Sequence, residues 1–154
     1  MELLLWRHCE AEAGEPDLGR ALTGKGEKQA RRMAAWLHSH LPDSARILAS
    51  PAQRSQQTAK ALAELASRKM KTVDALSPGA SVEDVLRAVR WPDAKSVVVV
   101  VGHQPTLGRV ASRLLSGSEA DWPVKKGGLW WFSSRDRHGV EQVVLRAVLN
   151  PDLL

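Results

Sequence analysis

Four residues of this 154-residue chain have the side-chain types that handle a phosphoryl group: Arg7 and His8, adjacent near the N-terminus, then Arg54 and His103. Arginine presents a planar fork of donors that matches the oxygens of a phosphoryl dianion. Histidine can attack phosphorus or donate a hydrogen bond to an oxygen. Taken singly, each has an ordinary explanation. A histidine in a loop is commonly structural or solvated, and an arginine in the first turn of a helix is commonly a surface charge. Their shared position sets them apart, because each falls just after a stretch patterned as a β-strand. On one rim, two arginines and two histidines make a pocket for a dianionic phosphoryl group.

The elements that must bring them together follow from hydrophobic spacing. Leu3–Trp6 is a short apolar strand ending at Arg7 and His8. Lys25–Leu41 places Ala30, Met33, Ala34, Leu37 and Leu41 on one helical face. Arg46–Ala49 is a brief strand, and Ser50-Pro51-Ala52-Gln53 then starts a helix that runs to about Arg68. There Ser50 suits a cap, Pro51 the first turn and Gln53 a capping-box partner. Arg54 then lies where free backbone N–H groups and the helix dipole favour an anion. Thr72–Asp74 is a third strand, and Ser81 caps a helix carrying Val82, Val85, Leu86 and Val89. Ser96–Val101, with five consecutive valines, has the pattern of a central strand covered on both faces. His103 sits in the turn to a further helix striped by Leu107, Val110, Ala111, Leu114 and Leu115. Two late strands, Gly128–Phe132 and Gln142–Leu149, are joined through Ser133–Gly139. If the first is a strand, Trp130 and Trp131 face opposite ways, one buried and one nearer solvent. Alternating strands and helices around a valine-rich strand predict one α/β domain over residues 1–154 with a mostly parallel sheet. In such sheets ligands bind at the carboxyl ends of the strands.

Composition narrows the class. The chain is 44% apolar and 25% charged, enough for a real core, with a net charge of +5 that favours an anionic partner. The single cysteine, Cys9, excludes an internal disulfide framework and a zinc finger. Met1–Arg7 is too short an apolar stretch for a signal peptide, and no apolar run is long enough to cross a bilayer, so a soluble, cytoplasmic protein without membrane attachment is expected. The six tryptophans, with no tyrosine, leave no phenol as nucleophile or acid.

Longer motifs sharpen this. Leu4-Leu5-Trp6-Arg7-His8 resembles the Arg-His-Gly signature of the histidine phosphatase superfamily. Arg20-Ala21-Leu22-Thr23-Gly24-Lys25-Gly26 is similar to that family's Arg-x-Leu-Thr-x-x-Gly. Ser50-Pro51-Ala52-Gln53-Arg54-Ser55-Gln56-Gln57-Thr58-Ala59 resembles its Ser-Pro-x-x-Arg-x-x-x-Thr-Ala, and Val99–Gly102 with His103-Gln104-Pro105 its second-histidine segment. The motifs occur in family order over about two-thirds of the chain, and the compact length most resembles the SixA-like phosphohistidine phosphatases. The resemblance implies a phosphoglycerate mutase-like three-layer α/β/α sandwich. It makes His8 a nucleophile that is transiently phosphorylated, with Arg7, Arg54 and His103 on the equatorial oxygens and Arg20 as a further phosphate ligand. No metal or other cofactor is implied, because the cationic side chains supply the charge.

One departure stands out: Cys9 replaces the usual glycine. A positive φ there would cost a side chain on the order of 1 kcal/mol, and the thiol raises a cysteine nucleophile as an alternative, although Glu10 next door disfavours a thiolate. No motif marks a general acid among Glu10, Glu12, Asp17, Glu83 and Asp84; Glu10 is the nearest candidate. An alkoxide leaving group needs an acid, whereas the imidazole of phosphohistidine can leave already protonated. The short intervals between motifs leave no long lid. These features favour a phosphohistidine on a partner protein, a phosphotransfer domain, with Lys25, Lys28, Arg31 and Arg32 steering an acidic partner. The alternatives are a phosphatase of small phosphoesters (sugar phosphates or nucleotides), a catalytically impaired phosphate-binding relative, and a nucleic-acid module drawn from Trp122, Trp130, Trp131, Lys125 and Lys126. No nucleic-acid motif supports the last.

Overall fold

The computed structural model describes residues 1–154. Six strands form one sheet: β1 (Glu2–Arg7), β2 (Arg46–Ala49), β3 (Met70–Thr72), β4 (Val97–Gly102), β5 (Leu129–Arg137) and β6 (Val140–Leu149), in the order β3-β2-β4-β1-β5-β6. The first four are mutually parallel, while β5 runs antiparallel to β1 and to β6. Four helices flank it: α1 (Gly24–His40), α2 (Gln53–Leu65), α3 (Val82–Val89) and α4 (Thr106–Ser116).

The alternation of strand side chains divides the core in two. Leu4, Trp6, Ile47, Val99 and Val101 pack with Met33, Ala34 and Leu37 of α1 and Ala59 and Leu62 of α2. Leu3, Leu5, Leu48, Val98 and Val100 pack with Val82, Val85 and Val89 of α3 and Leu107, Val110 and Ala111 of α4. The result is a three-layer α/β/α sandwich. The valine run is central because both of its faces are covered, as a continuous apolar strand requires. Trp131 is buried on the α1/α2 side and Trp130 is partly exposed on the other, where it packs against Trp122 and Phe132. Trp131 is a core residue, whereas Trp130 and Trp122 are partly buried and pack against the second cluster. No helix is long and apolar enough to cross a membrane.

Several boundaries differ from the sequence reading, each for a local reason. The third strand is Met70–Thr72, set by pairing with Ile47–Ala49, and Asp74 already begins a 3-10 turn. Helix α2 stops at Leu65, three residues short of Arg68, where Ser67 takes a positive φ of 50°. Leu115 lies off the α4 stripe, at 37% exposure. Strands β5 and β6 extend through the segment read as a connection, because His138 and Gly139, at φ 54° and 78°, form a two-residue turn matching the strand twist. Ser50 does not cap α2. Ala52 holds the N-cap position, the Ser50 hydroxyl accepts from the Ala52 N–H at 3.2 Å, and Gln56, not Gln53, reaches back to the Ser50 carbonyl at 2.7 Å.

One contact anchors the loop after β1. Thr23 caps α1 through the Gly26 N–H, and both its backbone N–H and its hydroxyl donate to Glu10. Helix and loop are so close that a Cβ on Gly26 would lie 2.0 Å from the Glu10 carbonyl oxygen, whereas one on Gly24 meets nothing within 4 Å. Gly26→Ala is therefore expected to cost about 3 kcal/mol in urea denaturation. Gly24→Ala, two residues earlier at the first position of α1, is expected to be neutral or slightly stabilising.

Candidate active site

The carboxyl ends of β2, β4 and β1, neighbours in the sheet, hold the candidate residues level. Ladder bonds run past the strand ends, from the His8 N–H to the Gly102 carbonyl and from the Ser50 N–H to the Val101 carbonyl, both at 3.0 Å. Arg7, His8, Arg20, Arg54 and His103 accordingly line one cleft of about 220 Å³, with Gln104 and Lys126 on its wall. The His8 and His103 rings lie 5.1 Å apart between centroids.

The hydrogen bonds assign the tautomers. His8 Nδ1 is 2.8 Å from the Cys9 carbonyl oxygen, which can only accept, so Nδ1 carries the proton and Nε2 is left with a free lone pair. His103 Nε2 is 2.7 Å from Ser50 Oγ, and Nδ1 is 3.4 Å from Arg54 Nη2, which can only donate. Nε2 therefore carries the His103 proton. Burial, the largest influence, lowers the His8 pKa to about 4; the bond to Cys9 opposes this, and the charges of Arg54, Arg7 and Arg20 add to it. His103 falls to about 3, again chiefly by burial, helped by His8 and Arg54 and opposed by Asp17. Both imidazoles are neutral at pH 7, as a nucleophile must be.

The sign of the pH dependence follows. An unfolded histidine binds its proton near pH 6.5, the folded one only near 4 or 3, so acid favours unfolding. The phosphate-free protein is expected to lose stability as pH falls below about 6.5, with the loss growing until about 4 for His8 and about 3 for His103. Replacing both histidines by phenylalanine should flatten that slope in thermal melts, and NMR of the imidazole C–H groups should place the His8 midpoint near 4.

The arginines are held by backbone. Arg7 Nη1 donates to the Val124 carbonyl at 2.8 Å. Arg54, only 4% exposed, donates to the Asp17 carbonyl at 2.9 Å and meets the Asp17 carboxylate at 3.2 Å. Arg20 meets the same carboxylate at 3.0 Å. The Nε groups of Arg7 and Arg54 are buried without a partner. Thr58 ties α2 to the segment after β1, donating to the Arg54 carbonyl at 2.8 Å and accepting from the Cys9 N–H at 3.1 Å.

Glu10 does not join the cleft, since its carboxylate takes the Thr23 hydroxyl at 2.9 Å. Glu83 pairs with Arg113, Asp84 closes the α3 capping box, and Glu12 offers its carbonyl to Arg20. Asp17 alone of the five carboxylates contacts the site arginines. Slight desolvation raises its pKa, but the hydrogen bonds and charges of Arg20 and Arg54 prevail and hold it below the usual range. It is an anion, not an acid. In sequence Asp17 stands among five carboxylates with nothing to single it out, Lys126 enters only beside the tryptophans, and the Ser50 hydroxyl is signalled only by the motif that contains it. Cys9 has no positive φ, so the anticipated backbone cost is absent. Its thiol is fully buried, and desolvation pushes it up to about 12 against the hydrogen bond of Thr58, which excludes a thiolate nucleophile. No group of three or more His, Cys, Asp or Glu side chains is placed to hold a metal ion.

A neutral imidazole with a free nitrogen, ringed by arginines at the strand ends, is an arrangement able to seat an oxyanion and present a nucleophilic nitrogen to it. Residues 3–77 match the histidine phosphatase superfamily (branch 1). A phosphohistidine phosphatase SixA homolog of Haemophilus influenzae is 32% identical over 127 residues, 74% of this chain and 77% of that protein. An uncharacterized protein of a Picosynechococcus species is 36% identical over 140 residues, 84% and 82% of the two chains. The protein histidine phosphatase SixA, solved in complex with tungstate, superposes with a TM-score of 0.81 at 24% identity, covering 99% of each chain. The chain belongs to the histidine phosphatase superfamily, and its fold is the phosphoglycerate mutase-like one of SixA.

Proposed function

We propose that this protein hydrolyses phosphohistidine on a partner protein through a phosphohistidine intermediate on His8. One observation carries the reading: the carboxylate nearest the site arginines, Asp17, is ionised, so the cleft pairs a ready nucleophile with no evident proton donor. Such a site suits a leaving group that departs as a neutral imidazole and disfavours an alkoxide. In the first step His8 Nε2 attacks phosphorus in line, an N–P bond forms, the substrate N–P bond breaks, and the leaving imidazole keeps its proton. In the second, water attacks phosphorus, the bond to His8 breaks, and phosphate leaves. Arg7, Arg54 and Arg20 face the charge that spreads over the equatorial oxygens. His103, neutral with its proton on Nε2, lines the same cleft beside Arg54.

The SixA homolog and the tungstate-bound SixA structure support the same reading, tungstate being a tetrahedral oxyanion like phosphate. The test is release of phosphate from a phosphorylated histidine-phosphotransfer domain, set beside sugar phosphates and nucleotides. Rapid release from the domain is expected. Hydrolysis of small phosphoesters alone would overturn the proposal.

A further inference from the structure

A second cleft, of about 440 Å³, adjoins the phosphoryl pocket and shares Arg7 and Lys126 with it. Lys25, Gln29, Lys125 and Asp152 complete its polar lining. None of its four cations belongs to an ion pair of the chain, whereas Arg109, Arg113 and Arg146 elsewhere on the surface each hold a carboxylate. The one acidic group in the lining is Asp152, so the cleft carries excess positive charge.

The lysines are not casually placed. The turn bearing Lys125 and Lys126 is fixed to the residues that carry the nucleophile. The Gly127 N–H donates to the His8 carbonyl at 3.2 Å, the Arg7 N–H to the Gly128 carbonyl at 3.0 Å, and the Trp6 indole to the Gly127 carbonyl at 3.1 Å. Gly127 has φ +73°, and a Cβ there would meet Pro151 at 2.9 Å and Cys9 at 3.2 Å, so the turn is seated against the core. Lys25 approaches from the first turn of α1, where a cation opposes the helix dipole. Lys125 and Lys126 thus project from a backbone fixed relative to His8.

From this placement we infer that the second cleft docks carboxylates on the partner's surface beside its phosphohistidine, giving two-point recognition: phosphoryl group at His8, acidic side chains at Lys25, Lys125 and Lys126. The inference rests on the function proposed above. Lysine ammonium groups on flexible stems, in a cleft about twice the size of the phosphoryl pocket, suit several carboxylates of a protein surface more than one fixed small acid. The basic face also differs from the helix cluster expected from sequence. Lys25 lines this cleft, but Arg31 lines another, with Glu27, Lys60 and Glu64.

The experiment compares wild type with the Lys25→Glu/Lys125→Glu double variant, which leaves the phosphoryl pocket untouched. The substrates are a phosphorylated histidine-phosphotransfer domain with aspartate or glutamate flanking its histidine, and the phosphoramidate ion. On the domain, kcat/KM should fall at least about 20-fold, mainly through KM, while phosphoramidate turnover stays within about 2-fold. Neutralising the flanking carboxylates of the domain should abolish the difference between the two enzymes. Equal kcat/KM on the domain, or an equal loss on phosphoramidate, overturns this inference alone. Wild type that turns over phosphoramidate but not the domain overturns the function on which it rests.

Discussion

With His8 replaced by alanine, phosphate release should fall by about 10⁵-fold, the scale seen when an enzyme loses its covalent nucleophile. The arginines and His103 remain in that variant, so oxyanion binding should persist and inorganic phosphate should still bind. Wild type quenched during turnover with ³²P-labelled substrate should retain label in an acid-labile, alkali-stable bond, and His8→Ala should retain none. The proposed role of His8 requires this result, and the site is consistent with it: the Cys9 carbonyl fixes the His8 proton on Nδ1 and burial keeps Nε2 bare at any pH well above 4. Cys9→Ala provides the contrast. Its thiol lies among Leu22, Ala30 and Ala61, fully buried and protonated, so turnover should stay within about 3-fold of wild type once folding is confirmed. Label found on a cysteine, or full activity without His8, would remove the histidine from the mechanism.

The rim of the site is legible in sequence because it hangs on strands whose pattern is unambiguous. Leu3–Trp6 and the five valines are patterned as buried strands, so the residues following them emerge at the carboxyl end of the sheet. The same logic fails for Glu10. Its closeness to His8 in sequence says nothing about direction, and the cap of α1 draws its side chain to Thr23. Asp17 lies in a loop without periodicity, and only the reach of Arg54 across 37 residues shows that it belongs to the site. Lys126 is placed by a turn whose anchors are backbone groups, which composition does not reveal. The outer halves of β5 and β6 escape for a different reason. Ser133–Arg137 is polar and solvent-facing, so no hydrophobic alternation betrays the pairing that the His138-Gly139 turn imposes. Cys9 illustrates the reverse. The family pattern suggested a glycine-like backbone, yet the chain passes through this position at negative φ and accommodates the side chain in the core.

Arg54 carries the other large effect. Its guanidinium spans the Asp17 carbonyl, the Asp17 carboxylate and His103 Nδ1, contacts that require a planar fork. Lysine at this position keeps the charge but offers a single point that cannot meet all three. Arg54→Lys should therefore lower kcat by about 10³-fold, the cost of losing a preorganised donor to the transition state. Asp17→Asn should act with the opposite sign on ground-state binding. The carboxylate now shares Arg54 and Arg20 with any incoming anion, and half of its surface is open to water, so its charge is a modest competitor. Without that charge, inorganic phosphate should inhibit about 5-fold more tightly, a difference of about 1 kcal/mol. The pair separates two roles for one contact. If Asp17 only restrained Arg54, both substitutions would weaken phosphate binding together; if it competes for the same donors, phosphate binding weakens in Arg54→Lys and tightens in Asp17→Asn. The observed bonds favour competition, because the Asp17 backbone carbonyl, which the substitution leaves in place, already restrains the guanidinium at 2.9 Å.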